Sequence, residues 1–79
     1  MFIYYLTQNT NRGYDTYDSC VVAATSKRGA QKIRPDDSTW EKDHYNSWAD
    51  TPEQVNVEYL GIAKEGTKTG VILASFNAG

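Results

Sequence analysis

A chain of 79 residues with a net charge of −2 makes one domain, residues 1–79, with a small core, and its mild acidity argues against general binding to duplex nucleic acid. Cys20 is the one cysteine and His44 the one histidine, which excludes a disulfide framework and the Cys/His cluster of a structural zinc site and leaves a homo-oligomer or a bound partner as the source of extra stability. No apolar run nears the ~20 residues that span a bilayer, and the N-terminal stretch lacks the basic region and apolar length of a signal peptide, so a soluble, cytoplasmic protein without a membrane partner is expected.

Residues 2–7, Phe-Ile-Tyr-Tyr-Leu-Thr, read as a strand because aromatic and β-branched residues dominate. Residues 9–19 then form a long polar connection, where about 4–6 residues is typical. Gly13 is its natural place for a positive φ. Residues 19–24 are almost all apolar, which predicts a strand buried on both faces or central in a small sheet. Thr25 or Ser26 supplies an N-cap for a helix of about two turns over residues 27–34, with Ala30 and Ile33 facing the sheet. Gly29 weakens that helix by roughly 1 kcal/mol, and Pro35 ends it.

Residues 35–54 are less regular. Trp40, His44, Tyr45 and Trp48 recur at spacings that would align them on one helix face, from Ser38 or Thr39 to Ala49. Asp50-Thr51-Pro52-Glu53 is a turn. Residues 55–63 alternate, with Val55, Val57 and Tyr59 on one face and Asn56 and Glu58 on the other, and Gly61 marks a bulge. Residues 64–70, with Gly66 and Gly70, read as a hairpin turn into a last strand over 71–76. The prediction is an α+β fold: a small antiparallel sheet of about four strands with one or two short helices packed on one face, in the order β-β-α-(α)-β-β. Both the first two and the last two strands are expected to pair as antiparallel neighbours.

Charge is unevenly spread. Lys27, Arg28, Lys32 and Arg34 stand without an acid over residues 26–34, while residues 35–53 hold six acids against Lys42. This predicts one basic and one acidic surface, or simply a solvated helix face followed by a solvated loop.

The candidate contact residues lie in two segments. In the connection, Arg12, Tyr14, Asp15, Tyr17 and Asp18 bring a guanidinium, two phenol rings and two carboxylates close together. Such a set can anchor a protein interface or grip a base and a phosphate. The alternative is structural: the aspartates hold turns, and one tyrosine packs on the sheet. Trp40, Tyr45 and Trp48 either wall a contact surface or fill a core short of leucine. His44 is most simply a surface residue and Cys20 an inert buried thiol. No local nucleophile–base pair, phosphate-binding loop or dinucleotide fingerprint is present, so no catalytic residue, cofactor or metal is expected. A hydrolase built on Asp15, Asp18 and His44 requires His44 to reach the loop.

The segments Gly13-Tyr14-Asp15-Thr16-Tyr17-Asp18-Ser19 with Val21-Val22-Ala23-Ala24, and Gly70-Val71-Ile72-Leu73-Ala74-Ser75-Phe76-Asn77-Ala78-Gly79, resemble small phage- and prophage-encoded proteins of uncharacterised type. The basic helix with its internal Gly29 departs from the more acidic helix expected there. The resemblance implies stoichiometric binding rather than catalysis. Its expected targets are a host protein, such as an antiviral defence component, or a small nucleotide ligand of cyclic or ADP-ribose type held by an oligomeric sponge.

Overall fold

A computed structural model describes residues 1–40 and 46–77. Four strands, β1 (Phe2–Thr7), β2 (Thr16–Ala24), β3 (Asn56–Ile62) and β4 (Gly70–Asn77), form one antiparallel sheet in the order β3-β1-β2-β4. Between β2 and β3 the chain forms a short helix, α1 (Lys27–Gln31), and a 3-10 turn, Pro52–Gln54. Mixed α+β architecture is thus as the sequence predicts. Among the described residues no helix is long and apolar enough to cross a membrane.

The apolar runs explain the centre of the sheet. β1 and β2 pair across the polar connection, with Tyr4 opposite Val22 and Leu6 opposite Cys20. These side chains, with Ala24, Ala30, Trp48, Ala49 and Val55, form the buried core on the face that α1 covers. The alternation in β3 also holds: Val57 lies opposite Leu6 and Tyr59 opposite Tyr4. Phe2, Tyr4 and Tyr59 meet edge to face, with ring centroids 5.8–6.5 Å apart. The irregularity expected at Gly61 sits beside it, where the β1–β3 register shifts between Ile3 and Tyr4 and leaves Leu60 unopposed.

The last two strands do not pair with each other. β3 and β4 occupy opposite edges of the sheet, so residues 63–69 are a crossing connection and not a hairpin turn. Three strand spacings are about 14 Å, within reach of seven residues at roughly 3.3 Å each. The crossing runs past the chain start, where the Ala63 amide donates to the Met1 carbonyl at 2.9 Å. Gly66 (φ 91°) and Gly70 (φ 143°) supply the backbone turns at its middle and end.

Four further expectations are corrected. β2 starts at Thr16, because Thr16 and Tyr17 pair with Asn77 and Phe76 of β4, so the connection shrinks to residues 8–15. Helix α1 is capped by the Ser26 hydroxyl, which accepts from the Gly29 amide at 3.0 Å, but it ends at Gln31 rather than Arg34. Arg34 turns inward and is 3 % exposed, so the outward basic set is Lys27, Arg28 and Lys32. Of the helix expected over 38–49, residues 41–45 lie outside the described residues, and the rest, 38–40 and 46–49, is not helical.

Candidate functional site

The connection of residues 8–15 is built by side chains that bond the backbone, as a loop without ladder partners requires. Gln8, buried at the end of β1, is its hub. Its Oε1 accepts from the Thr10 and Asn11 amides at 2.9 and 2.8 Å. Its Nε2 donates to the Asn11 carbonyl at 2.7 Å and the Tyr17 carbonyl at 3.0 Å. Asn11 Nδ2 then bridges to the Asn46 and Trp48 carbonyls at 2.7 and 2.9 Å. On the other side the Thr16 hydroxyl donates to the Gly13 carbonyl at 2.7 Å. The Asp15 amide donates to the Asn77 carbonyl, and Asn77 Nδ2 to the Gly13 carbonyl, both at 2.7 Å.

These bonds fasten the loop to three neighbours at once: β2, the 46–48 segment and the end of β4. At its tip Tyr14 is 76 % exposed. Arg12, Asp15 and Asp18 are exposed too, and Asp15 adopts φ 60°, a left-handed conformation that aspartate tolerates better than most residues. Asp18 sits where the β2–β4 register shifts between Tyr17 and Ser19, so a bulge and not a loop carries it.

The other candidates divide. Tyr17 is half-buried, packs against the core and lies 4.8 Å from the Phe76 ring. Trp48 is 0 % exposed and is a core residue, so no partner reaches it in this fold. Trp40 is half-buried: its Nε1 donates to the Lys32 carbonyl at 2.9 Å, and the Arg34 guanidinium lies 4.9 Å from its ring centroid. Tyr45 and His44 lie outside the described residues, and with them the hydrolase geometry. Even so, the two segments singled out from sequence do adjoin: Asn11 holds the loop to residues 46 and 48, and the Tyr17 amide donates to the Ser47 carbonyl at 2.7 Å.

Beside this junction is a polar network that sequence reasoning missed. Arg34 Nε meets Asp36 Oδ1 at 3.3 Å, and its Nη2 donates to Asn46 Oδ1 at 3.1 Å. The Ser38 and Ser47 hydroxyls donate to Asp36 at 2.6 and 3.0 Å, and the Ser38 amide at 3.1 Å. Burial alone pushes the Asp36 carboxyl up. The bonds from Ser38, Arg34 and Ser47 outweigh it and hold the group at about 2. Cys20 is pushed by burial up to about 12, as an inert thiol in a strand should be. Among the described residues no three His, Cys, Asp or Glu side chains converge as metal ligands do.

Replacing the hub checks how the loop is held. Gln8→Ala strands four backbone groups and is expected to cost about 1–3 kcal/mol in urea denaturation. The Thr10 and Asn11 amides should then exchange with solvent many times faster. An unchanged midpoint with unchanged exchange would show that Gln8 does not hold the loop.

No protein-family model matches the chain, and no curated protein or solved structure matches it either.

Proposed function

We propose that this protein acts by stoichiometric binding, as a small phage-type protein that inhibits or modulates a host factor in the cytoplasm, an antiviral defence component being the class of target. The observation that carries the reading is the loop at residues 8–15. A small domain uses a buried glutamine, an asparagine bridge and contacts to β4 to hold in place a tip whose own side chains, Arg12, Tyr14 and Asp15, are exposed. An ordered tip has already met the entropic cost of fixing its backbone, which otherwise weakens binding. Tyrosine and arginine are the residue types that most often anchor an interface, and flanking carboxylates set charge specificity. The resemblance of the segments around Tyr14 and Leu73 to small phage proteins supplies the biological context.

In this reading Tyr14 is the anchor, with Arg12, Asp15 and Asp18 around it. Tyr17 and Trp40 support the surface from half-buried positions.

The test is affinity capture from bacterial lysate followed by native mass spectrometry. The wild-type chain should hold one host polypeptide at a fixed ratio, and Tyr14→Ala should weaken that hold at least tenfold while leaving the fold intact. Retention of a few hundred daltons of small molecule, lost in Tyr14→Ala, would move the reading to the nucleotide sponge. Capture unaffected by Tyr14→Ala and Arg12→Ala would overturn the assignment to this loop.

A further inference from the structure

Both sheet edges expose apolar side chains, Tyr59, Leu60 and Ile62 on β3 and Ile72, Leu73 and Phe76 on β4, and β4 is the edge without a charged residue. An edge strand presents unpaired backbone donors and acceptors, and proteins guard such edges with lysine, proline, inward charges or covering elements. β4 reads Gly70-Val71-Ile72-Leu73-Ala74-Ser75-Phe76-Asn77, with no charged residue and no proline. The register shift between Val21 and Val22 leaves Ile72 as a bulge in β4, the one edge protection this strand carries. Leu73 is 68 % exposed, Ile72 50 % and Phe76 48 %. The opposite edge, β3, by contrast carries Glu58. Leu73 also lies opposite Val21, which lies opposite Tyr5, so the apolar strip continues from the edge onto the sheet face that α1 does not cover. A shallow depression of about 250 Å³ runs along this strip between Tyr5, Ser19, Val21, Leu73 and Ser75.

We propose that β4 pairs antiparallel with β4 of a second copy of this chain, about a two-fold axis beside Leu73, to make one continuous eight-stranded sheet. Charge singles out this occupant. A strand without charges offers nothing to a charged partner strand, yet it meets its own copy with no like charges opposed. Area sets the strength of the pairing. Taking a full side chain as roughly 200 Å², the exposed parts of Ile72, Leu73 and Phe76 offer roughly 300 Å² per copy. Two copies bury roughly 600 Å² of side chain, to which the two edge backbones add, the size of a weak dimer rather than a permanent one. Symmetry closes the assembly, because each β4 edge is used once and the free edges are then the two β3 strands with Glu58.

Leu73 is placed at the axis because it is the most exposed large hydrophobic residue of β4 and lies near its middle. The pairing also sets the two binding loops. Each loop is bonded to Asn77 at the end of its β4, so antiparallel pairing puts the two loops at opposite ends of the shared strands, roughly 25 Å apart. The dimer would be bivalent, with two separate contact surfaces. The pairing itself does not depend on what the loop binds.

Sedimentation equilibrium across a wide concentration range tests this. The wild-type chain should reach twice its monomer mass and no more. Leu73→Lys and Leu73→Glu each put like charges together at the axis and should weaken the dimer at least tenfold. An equimolar mixture of the two should restore it. Leu73 is mostly exposed, so both variants should keep the far-ultraviolet circular dichroism of the wild type, and Leu60→Lys on β3 should leave the dimer unchanged. A wild-type chain that stays monomeric at hundreds of micromolar would overturn the proposal. So would a dimer indifferent to both Leu73 variants, or open-ended growth.

Discussion

Trp48→Ala is expected to leave most of the chain unfolded at 25 °C. Trp48 is the largest side chain in the core and is 0 % exposed, among Leu6, Val22, Ala30 and Ala49. Removing a buried tryptophan costs about 3–5 kcal/mol, part in lost transfer energy and part in the cavity left behind. A single domain of this size has a total stability of only about 3–5 kcal/mol. Leu6 and Val22 have little means to collapse into the hole, because they sit on strands fixed by pairing, and the alanines on the other side are too small to fill it. The Trp48 carbonyl also accepts from Asn11, so the loop should lose one of its fastenings as the core loosens. A milder change separates packing from polarity. Trp48 Nε1 has no hydrogen-bond partner among the described residues, although it is buried. Trp48→Phe removes that orphan donor while keeping most of the apolar volume, and is expected to cost no more than about 1 kcal/mol. Urea denaturation followed by far-ultraviolet circular dichroism checks both. Equal midpoints for the wild type and Trp48→Ala would contradict the place given to this residue.

Arg34→Ala is expected to cost about 2–4 kcal/mol, far more than an exposed ion pair is worth. The arginine is 3 % exposed and Asp36 21 %, so the variant leaves a largely buried carboxylate with only hydroxyl and amide donors. It also removes the cation over Trp40 and the bond to Asn46, which ties residues 34–36 to the segment that carries the loop. The same pair gives a pH signature. Asp36 titrates at about 2 in the fold and near 3.8 when unfolded, so its folded value is depressed. Such a group contributes its full stability above pH 4 and loses it as pH falls towards 2. The contribution is roughly 1–2 kcal/mol after allowing for the partial exposure. The wild-type urea midpoint should therefore fall between pH 4 and pH 2, and Asp36→Asn should show a smaller fall over the same range. A variant that tracks the wild type through this window would show that Asp36 does not carry the effect.

Much of the sheet is legible from residue pattern. The apolar run at 20–24 marks a central strand, the alternation of Val57 and Tyr59 marks a strand, although only Val57 packs on the core and Tyr59 stays more than half exposed, and Ser26 marks a helix start. Each is a local signal, and each depends on neighbours a few residues away. Gly66 and Gly70 form a genuine local turn signal that points to a hairpin between β3 and β4, while partner choice is a long-range matter. Val57 and Tyr59 meet Leu6 and Tyr4 on β1, and that match of apolar faces outweighs proximity along the chain.

The candidate site shows the same division. Tyr14, Arg12 and Asp15 announce themselves by residue type within a polar stretch. Gln8 does not, because a single glutamine after a strand has no local mark of the four backbone groups it will serve. Arg34 looks like its neighbours Lys32 and Arg28 in a charge count; only the fold shows that the chain turns it inward toward Asp36. Trp48 and Trp40 have identical side chains, and tertiary packing alone decides that one is core and the other half-buried beside the surface.

Amide hydrogen exchange of the loop, in the free protein and with its captured partner, tests the central claim of a pre-built contact surface most directly. The Asn11, Asp15 and Tyr17 amides, which bond to Gln8, Asn77 and Ser47, should be protected in the free protein, and exchange across residues 11–18 should slow further when the partner binds. Free-protein exchange at the rate of an unstructured peptide, or a bound state in which residues 11–18 exchange as before, would contradict it.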